Sequence, residues 1–284
     1  MPDPDLRIAD AHFHLWDART YDYPWLRDRP VEFRYGDYGA LPRRYLAEDY
    51  RRDAARWHVA RGVHIEAEWD PTDPPGEMDF IAEVRRESGF PSVAVAQAWL
   101  DRDDCAAVLE AQATHPFVRG VRHKPPPGMM DDLRWRAGYR RLASLGLHFE
   151  LQVPWRQLDE ARRLARDFSD TTIVLNHAGL PLVPELTAWR RAMAGLADCA
   201  NVMVKISGLG NLPAVEKRTV TLTAIELFGT ERAMFASNYP VDSLRDSFDA
   251  VYDAFDAATR DFSPSERANL FHDNAARIYR MENP

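Results

Sequence analysis

The stretch Arg7 to Asp17, RIADAHFHLWD, carries the first residues able to do chemistry. Ile8, Ala9 and Ala11 make an apolar strand start, and His12 and His14 follow two residues apart. That spacing puts both imidazoles on one face of an extended strand. Two ring nitrogens converging on one point make half of a metal site, and imidazole also serves acid and base chemistry near neutral pH. His177 ends the apolar run IVLN and precedes Ala-Gly, so a compact imidazole is offered where a buried strand stops. Arg122 and Lys205 are cations at the ends of apolar strands, where an unpaired charge is costly. Each should face a carboxylate or an anionic substrate group; internal ion pairs with Glu66 or Glu150 are the other reading.

Positioning these groups requires a repeating scaffold, and the chain supplies one. Short apolar runs alternate with segments of helical period: RIADAHF, GVHIEAEW, SVAVAQAWL, FVRGVRHKPP, LHFELQVP, TTIVLNHAG, NVMVKISGLG and RAMFASNYPVD give eight strands. From His14 to Asn238 there are 224 residues in seven steps, or 32 per step, the size of a strand-helix unit. Eight such units with no Gly-rich phosphate fingerprint after the first strand predict a single-domain α/β protein, a closed (β/α)8 TIM barrel over residues 1–284. Active sites of such barrels lie at the C-terminal strand ends. In this chain those ends read His12 and His14; His64, Glu66 and Glu68; Gln97; Arg122, His123 and Lys124; Glu150 and Gln152; Asn176 and His177; Lys205 and Ser207; Ser237 and Asn238. One shared polar pocket follows. The segment from Leu15 to Leu41 has no helical period and holds Trp16, Tyr21, Tyr23, Trp25, Phe33, Tyr35 and Tyr38, which predicts a loop folded over that pocket. A helix is predicted from Leu41 to about His58.

Composition excludes several classes. The chain has 284 residues, 45% hydrophobic and 28% charged, and a net charge of −8. An acidic balance disfavours nucleic acid and anionic membranes as partners. RRYLAEDYRRDAAR, Arg43 to Arg56, mixes its signs and reads as a solvated helix face. Cys105 and Cys199 form no C-x-x-C and read as reduced packing residues of a cytoplasmic protein. No run of about 18 apolar residues occurs, so no membrane span is expected.

Taken together and in order, DAHFHLWD, VHIEAEWDP, GVRH, ELQVP, TIVLNHAG, NVMVKISGLG and MFASNYPVD resemble the amidohydrolase-2 branch of the amidohydrolase superfamily, from Ile8 to about Tyr279. This resemblance implies a barrel and hydrolysis of a cyclic ester or related bond. By position it makes His12, His14 and His177 catalytic residues and ligands of one divalent metal, zinc first, and Arg122 and Lys205 substrate-binding cations. Glu66, Glu150, Asn238 and Trp16 join the substrate-binding set. One departure bears on the chemistry. Many relatives end strand eight with Asp, as metal contact or base; this chain has Asn238, a poor ligand with no basic carboxylate. Asp242 is the expected replacement base, with Glu66 and Glu150 as rivals, and metal-independent lactone hydrolysis also occurs in the superfamily. The expectation is a hydrolase opening a small anionic or polyhydroxylated lactone. Its rivals are a decarboxylase or isomerase on the same scaffold, or an inactive small-molecule binding protein.

Overall fold

The computed structural model describes residues 6–27 and 32–281. Eight strands run β1 (Arg7–Phe13), β2 (His58–Ile65), β3 (Val93–Gln97), β4 (Val118–His123), β5 (His148–Leu151), β6 (Ile173–Leu175), β7 (Val202–Ile206) and β8 (Ala233–Phe235). Each pairs in parallel with the next. The ring closes where the extension of β8 meets β1: Phe13 bridges Tyr239, Asn238 N donates to His12 O (2.7 Å), and His14 N donates to Tyr239 O (2.7 Å). This is the (β/α)8 barrel expected from the alternation.

The strands are buried on both faces, which is why they read as apolar runs. Ala9, Val63, Val93, Val95, Val174 and Met234 fill the barrel, while Ile8, Phe13, Ala94, Val121 and Phe149 pack outward against the helices. The first strand breaks this alternation. A register slip between Asp10 and Phe13 lets Ala11 and His12 both face inward before Phe13 turns out. The main outer helices are α1 (Ala47–Asp53), α2 (Gly76–Ser88), α3 (Cys105–Ala113), α4 (Leu133–Ser144), α5 (Leu158–Asp167), α6 (Leu186–Ala197), α7 (Ala214–Phe228) and α8 (Phe248–Ala258). In α5, Leu158, Ala161, Leu164 and Ala165 make the buried stripe. Asp132 caps α4 and Ser247 caps α8 through side-chain oxygens. None of the helices among the described residues is long and apolar enough to cross a membrane.

Two boundaries differ from expectation. The helix predicted over residues 41–58 is confined to α1, because Arg44–Tyr45 pairs antiparallel with Trp16–Asp17 and β2 already begins at His58. Burial of Trp16 and Tyr45 outweighs the helical period there. The segment 15–41 also holds a single turn, Pro24–Arg27, and the strand pair Glu32–Phe33 with Gly36–Asp37, while residues 28–31 lie outside the described residues.

Candidate active site

The β1 histidines meet at their tips, with Nε2 of His12 3.2 Å from Nε2 of His14. The other nitrogen of His14, Nδ1, donates to the carbonyl of Ile65 at 2.8 Å, which leaves the His14 Nε2 lone pair facing His12. Nδ1 of His12 is buried without a partner. His177 arrives from the opposite side of the ring. Its residue has φ +54°, so the chain turns sharply after β6 and carries the imidazole over the barrel, with the ring centroid 4.6 Å from that of His12. Ser207 Oγ, after β7, contacts His177 Nδ1 at 2.9 Å. Gly208 must be glycine here, because a Cβ would stand 2.7 Å from that nitrogen and its φ is +62°. Burial, then the positive field of neighbours that include Arg122, holds all three imidazoles well below their usual range. They are neutral at pH 7.

The expected cations divide. Arg122 is fixed by three bonds: Nε to Glu66 Oε1 (2.5 Å), Nη2 to Glu66 O (2.5 Å) and Nη1 to Gln152 Oε1 (3.0 Å). A guanidinium has five N–H groups, so two remain for a ligand. Lys205 instead pairs with Glu150 at 2.8 Å inside the barrel, where His148, Asn176 and Tyr279 also bond that carboxylate. Burial alone would raise Glu150, yet Lys205 and His148 hold it at about 2; Lys205 itself is pushed down by burial to about 8. Neither residue lines the cavity at the strand ends. Arg122 and Lys205 therefore both have carboxylate partners, and the substrate roles expected of Lys205 and Glu150 give way to an internal charge pair.

Asn238 follows β8 at φ +56°, a conformation that Asn tolerates better than most residues. Its Nδ2 donates to Asp242 Oδ1 at 2.6 Å, and the Tyr35 hydroxyl donates to the same oxygen at 2.7 Å. Burial raises Asp242 to about 6, with Arg34, Asn238 and Tyr35 pulling the other way. Asn238 and His177 line the cavity; Asp242 does not, and is connected to it through the Asn238 amide and, by way of the Tyr35 hydroxyl, through Arg34. One of the two Nδ2 N–H groups goes to the carboxylate, which fixes the amide and leaves its oxygen and second N–H for substrate.

The cavity is about 360 Å³ and is bounded by His14, His177, Arg122 and Asn238 from the strand ends, and by Trp25, Arg34 and Tyr38 from the loop after β1. The expected cover is thus present, but not through Trp16. That indole is fully buried, donates to Pro42 O (2.8 Å) and packs edge-on against Trp25, which is the ring that faces the cavity. Arg34 escaped sequence reasoning because it sits in a segment without periodicity, and Tyr35 reads there only as one of the covering aromatics, not as the partner of Asp242. Asp10 escaped it because it looks like part of a strand. Its buried carboxylate accepts from His12 N (3.2 Å), Ser237 N (2.8 Å), Ser237 Oγ (2.5 Å) and Tyr50 OH (2.7 Å), tying β1 to the end of β8 beside His12.

Two imidazole nitrogens 3.2 Å apart match two ligands of a tetrahedral ion, for which bonds of about 2.0–2.1 Å imply a separation of roughly 3.3 Å. The carbonyl behind His14 is the usual outer partner of a ligating imidazole; His12 has none on Nδ1. Among the described residues no three His, Cys, Asp or Glu side chains cluster at metal-ligand distances, so His12 and His14 form a two-ligand seat and His177 stands beside it.

A parallel barrel with imidazoles, a fixed guanidinium and an amide at its C-terminal mouth defines a small-molecule enzyme scaffold. The chain belongs to the amidohydrolase family, whose model (Amidohydro_2) matches residues 9–281. It is 40% identical to the uncharacterized protein y4mH of Sinorhizobium fredii, over 98% of this chain and 99% of that one. It is 27% identical to L-fucono-1,5-lactonase of Burkholderia multivorans, over 98% and 97%. A crystal structure of an amidohydrolase from Burkholderia multivorans with bound zinc superposes with a TM-score of 0.83 at 25% identity, covering 97% of this chain and 99% of that one.

Proposed function

We propose that the protein hydrolyses a small lactone carrying hydroxyl or carboxylate groups, at the mouth formed by His12, His14, His177, Arg122 and Asn238. The observation that carries this reading is a 360 Å³ cavity lined by two neutral imidazoles, His14 and His177, and by a guanidinium with two uncommitted N–H groups, with a third imidazole, His12, packed against both histidines. The similarity to L-fucono-1,5-lactonases supports the choice of a cyclic ester. Arg122 is braced by Glu66 and Gln152, so its free N–H groups are aimed before substrate arrives and stabilise the oxyanion without reorganising. Neutral His177, with Nδ1 on Ser207, presents Nε2 as proton acceptor for the attacking water and returns the proton to the departing ring oxygen. The Asn238 amide oxygen, held by Asp242, accepts from that water or from a substrate hydroxyl. Zinc on His12 and His14 would polarise the carbonyl or activate the water. Arg34 has no carboxylate within ion-pairing distance among the described residues and suits an anionic substituent. The acidic balance and two free buried cysteines suit a cytoplasmic enzyme with a small-molecule substrate.

The test is a panel of 1,4- and 1,5-lactones followed by proton release, with zinc added or chelated. Ring opening abolished in His177→Asn and reduced by 10²-fold or more in Arg122→Met is the expected result. Absence of turnover on every lactone, or carbon dioxide release from a hydroxybenzoate, would overturn it.

A further inference from the structure

A second cavity of about 330 Å³ lies beside the first and shares Trp25, Glu68, Arg122 and Lys124 with it as a common wall. Its own lining includes Trp69, Trp99, Gln97 and His123. Three properties define what it would accept. First, the ionic groups in the wall are already matched: Arg122 with Glu66, and Lys124 with Glu68. Charge is therefore not the basis of recognition on this side. Second, the inward end of β3 leaves a polar group unmet. Gln97 continues the inward series Val93 and Val95, is 8% exposed, and its Oε1 has no hydrogen-bond partner. His123 accepts the Trp135 indole N–H on Nδ1 (3.0 Å), and burial lowers it to about 4, so the ring is neutral with its proton on Nε2. An unmet acceptor and a neutral donor are satisfied together by hydroxyl groups, which do both. Third, the remaining walls are apolar, the indoles of Trp25, Trp69 and Trp99 with Pro24, Pro71 and Ala98, and Trp99 is held by Arg102, whose guanidinium sits 5.1 Å from its ring.

The wall between the cavities is built rather than incidental. Glu68 stands at φ +56°, a costly conformation for a residue other than glycine. Three bonds fix the backbone leading into it: Glu68 N donates to Glu66 Oε2 (2.7 Å), Ala67 N to Glu77 Oε1 (2.7 Å), and Trp25 Nε1 to Ala67 O (2.7 Å). The result directs the Glu68 side chain to Lys124 between the two spaces.

We infer that the second cavity is a subsite for a neutral, hydroxylated ring attached to the lactone, so that the preferred substrate is a glycosyl-substituted lactone and not a monocyclic one. This rests on the lactonase reading for the first cavity. The two fail separately in the following experiment. D-glucono-1,5-lactone and its 4-O-glucosyl derivative, cellobiono-1,5-lactone, are compared on wild type, Gln97→Leu and Trp99→Ala, with thermal unfolding as a check of folding. The glycosylated lactone should show at least tenfold higher kcat/KM, and the ratio of the two values should fall towards one in both variants. Equal values in wild type, or a ratio unchanged in the variants, would overturn the subsite. If neither lactone turns over, methyl β-cellobioside is titrated by tryptophan fluorescence. Saturable binding weakened in both variants sustains the subsite without the lactonase reading, and no binding up to the solubility limit overturns it.

Discussion

At the end of β8 an amide and a buried carboxylate, Asn238 and Asp242, are joined by one hydrogen bond. An aspartate at position 238 would bring two carboxylates within 2.6 Å, which like-charge repulsion opposes. The Asn238→Asp variant is therefore expected to take up a proton at the pair near neutral pH and to lose activity as pH rises through that titration. Asp242 has its own pH signature. Its folded-state value of about 6 exceeds the ordinary 3.8, so the folded chain retains the proton longer than the unfolded chain. Stability falls as pH rises between those values, by roughly 3 kcal/mol in full. Urea unfolding of wild type and Asp242→Asn at pH 4 and pH 7 should show the variant gaining on wild type at the higher pH; a constant difference would refute the buried, raised carboxyl. Activity separates positioning from base catalysis at the same residue. Positioning of Asn238 predicts a loss of about tenfold in kcat, whereas loss of a general base costs roughly 10²–10⁴. For the metal seat, zinc competition against a chromophoric chelator should show one site in wild type and none in His14→Ala; equal binding by both would place zinc elsewhere.

The elements show which parts of this site were legible in the chain. Strand ends were legible because burial on both faces leaves an apolar run, and the first polar residues after it mark the mouth. His177 and Arg122, which line the cavity, stand out in that way, and His14 by its two-residue spacing from His12. The same signal cannot tell a strand end that opens to the cavity from one directed into the barrel, and so Lys205 could be read either as a substrate cation or as the ion-pair partner of Glu150, which it is. Nor can alternation reveal the slip in β1 that turns Ala11 and His12 inward together, or the left-handed turn that carries His177 over the barrel. The internal pair has a clear energetic consequence. Removing one partner leaves a buried charge, which costs about 3–5 kcal/mol, whereas removing both is far less damaging. Lys205→Met should lower the unfolding midpoint sharply and Lys205→Met with Glu150→Gln should recover much of it; additive losses would show that the two charges act independently.

Across the whole molecule, the aromatic segment after β1 and the barrel mouth form one chamber from distant parts of the sequence. Trp25 reaches the Ala67 carbonyl beyond β2, and Arg245 from beyond β8 donates to the Tyr35 carbonyl at 2.5 Å. The segment is thus latched on both sides of the opening. Trp25→Ala should raise KM severalfold by loosening the cover and admitting bulk water, with little change in the unfolding midpoint. A variant that loses stability and keeps its KM would assign Trp25 to packing alone.

The seam between β1 and β8 sets the order in which this molecule becomes active. Asp10 waits for Ser237, and His12 for the amide of Asn238, so the first strand made is completed by the last. During synthesis the earlier strand-helix units have neighbours to pair with as they emerge, but the proposed reacting centre does not exist until the eighth has been added. A ribosome-bound nascent chain halted before Ser237 would carry most of the hydrophobic core and no working mouth, so catalysis itself reports that translation has passed the final strand.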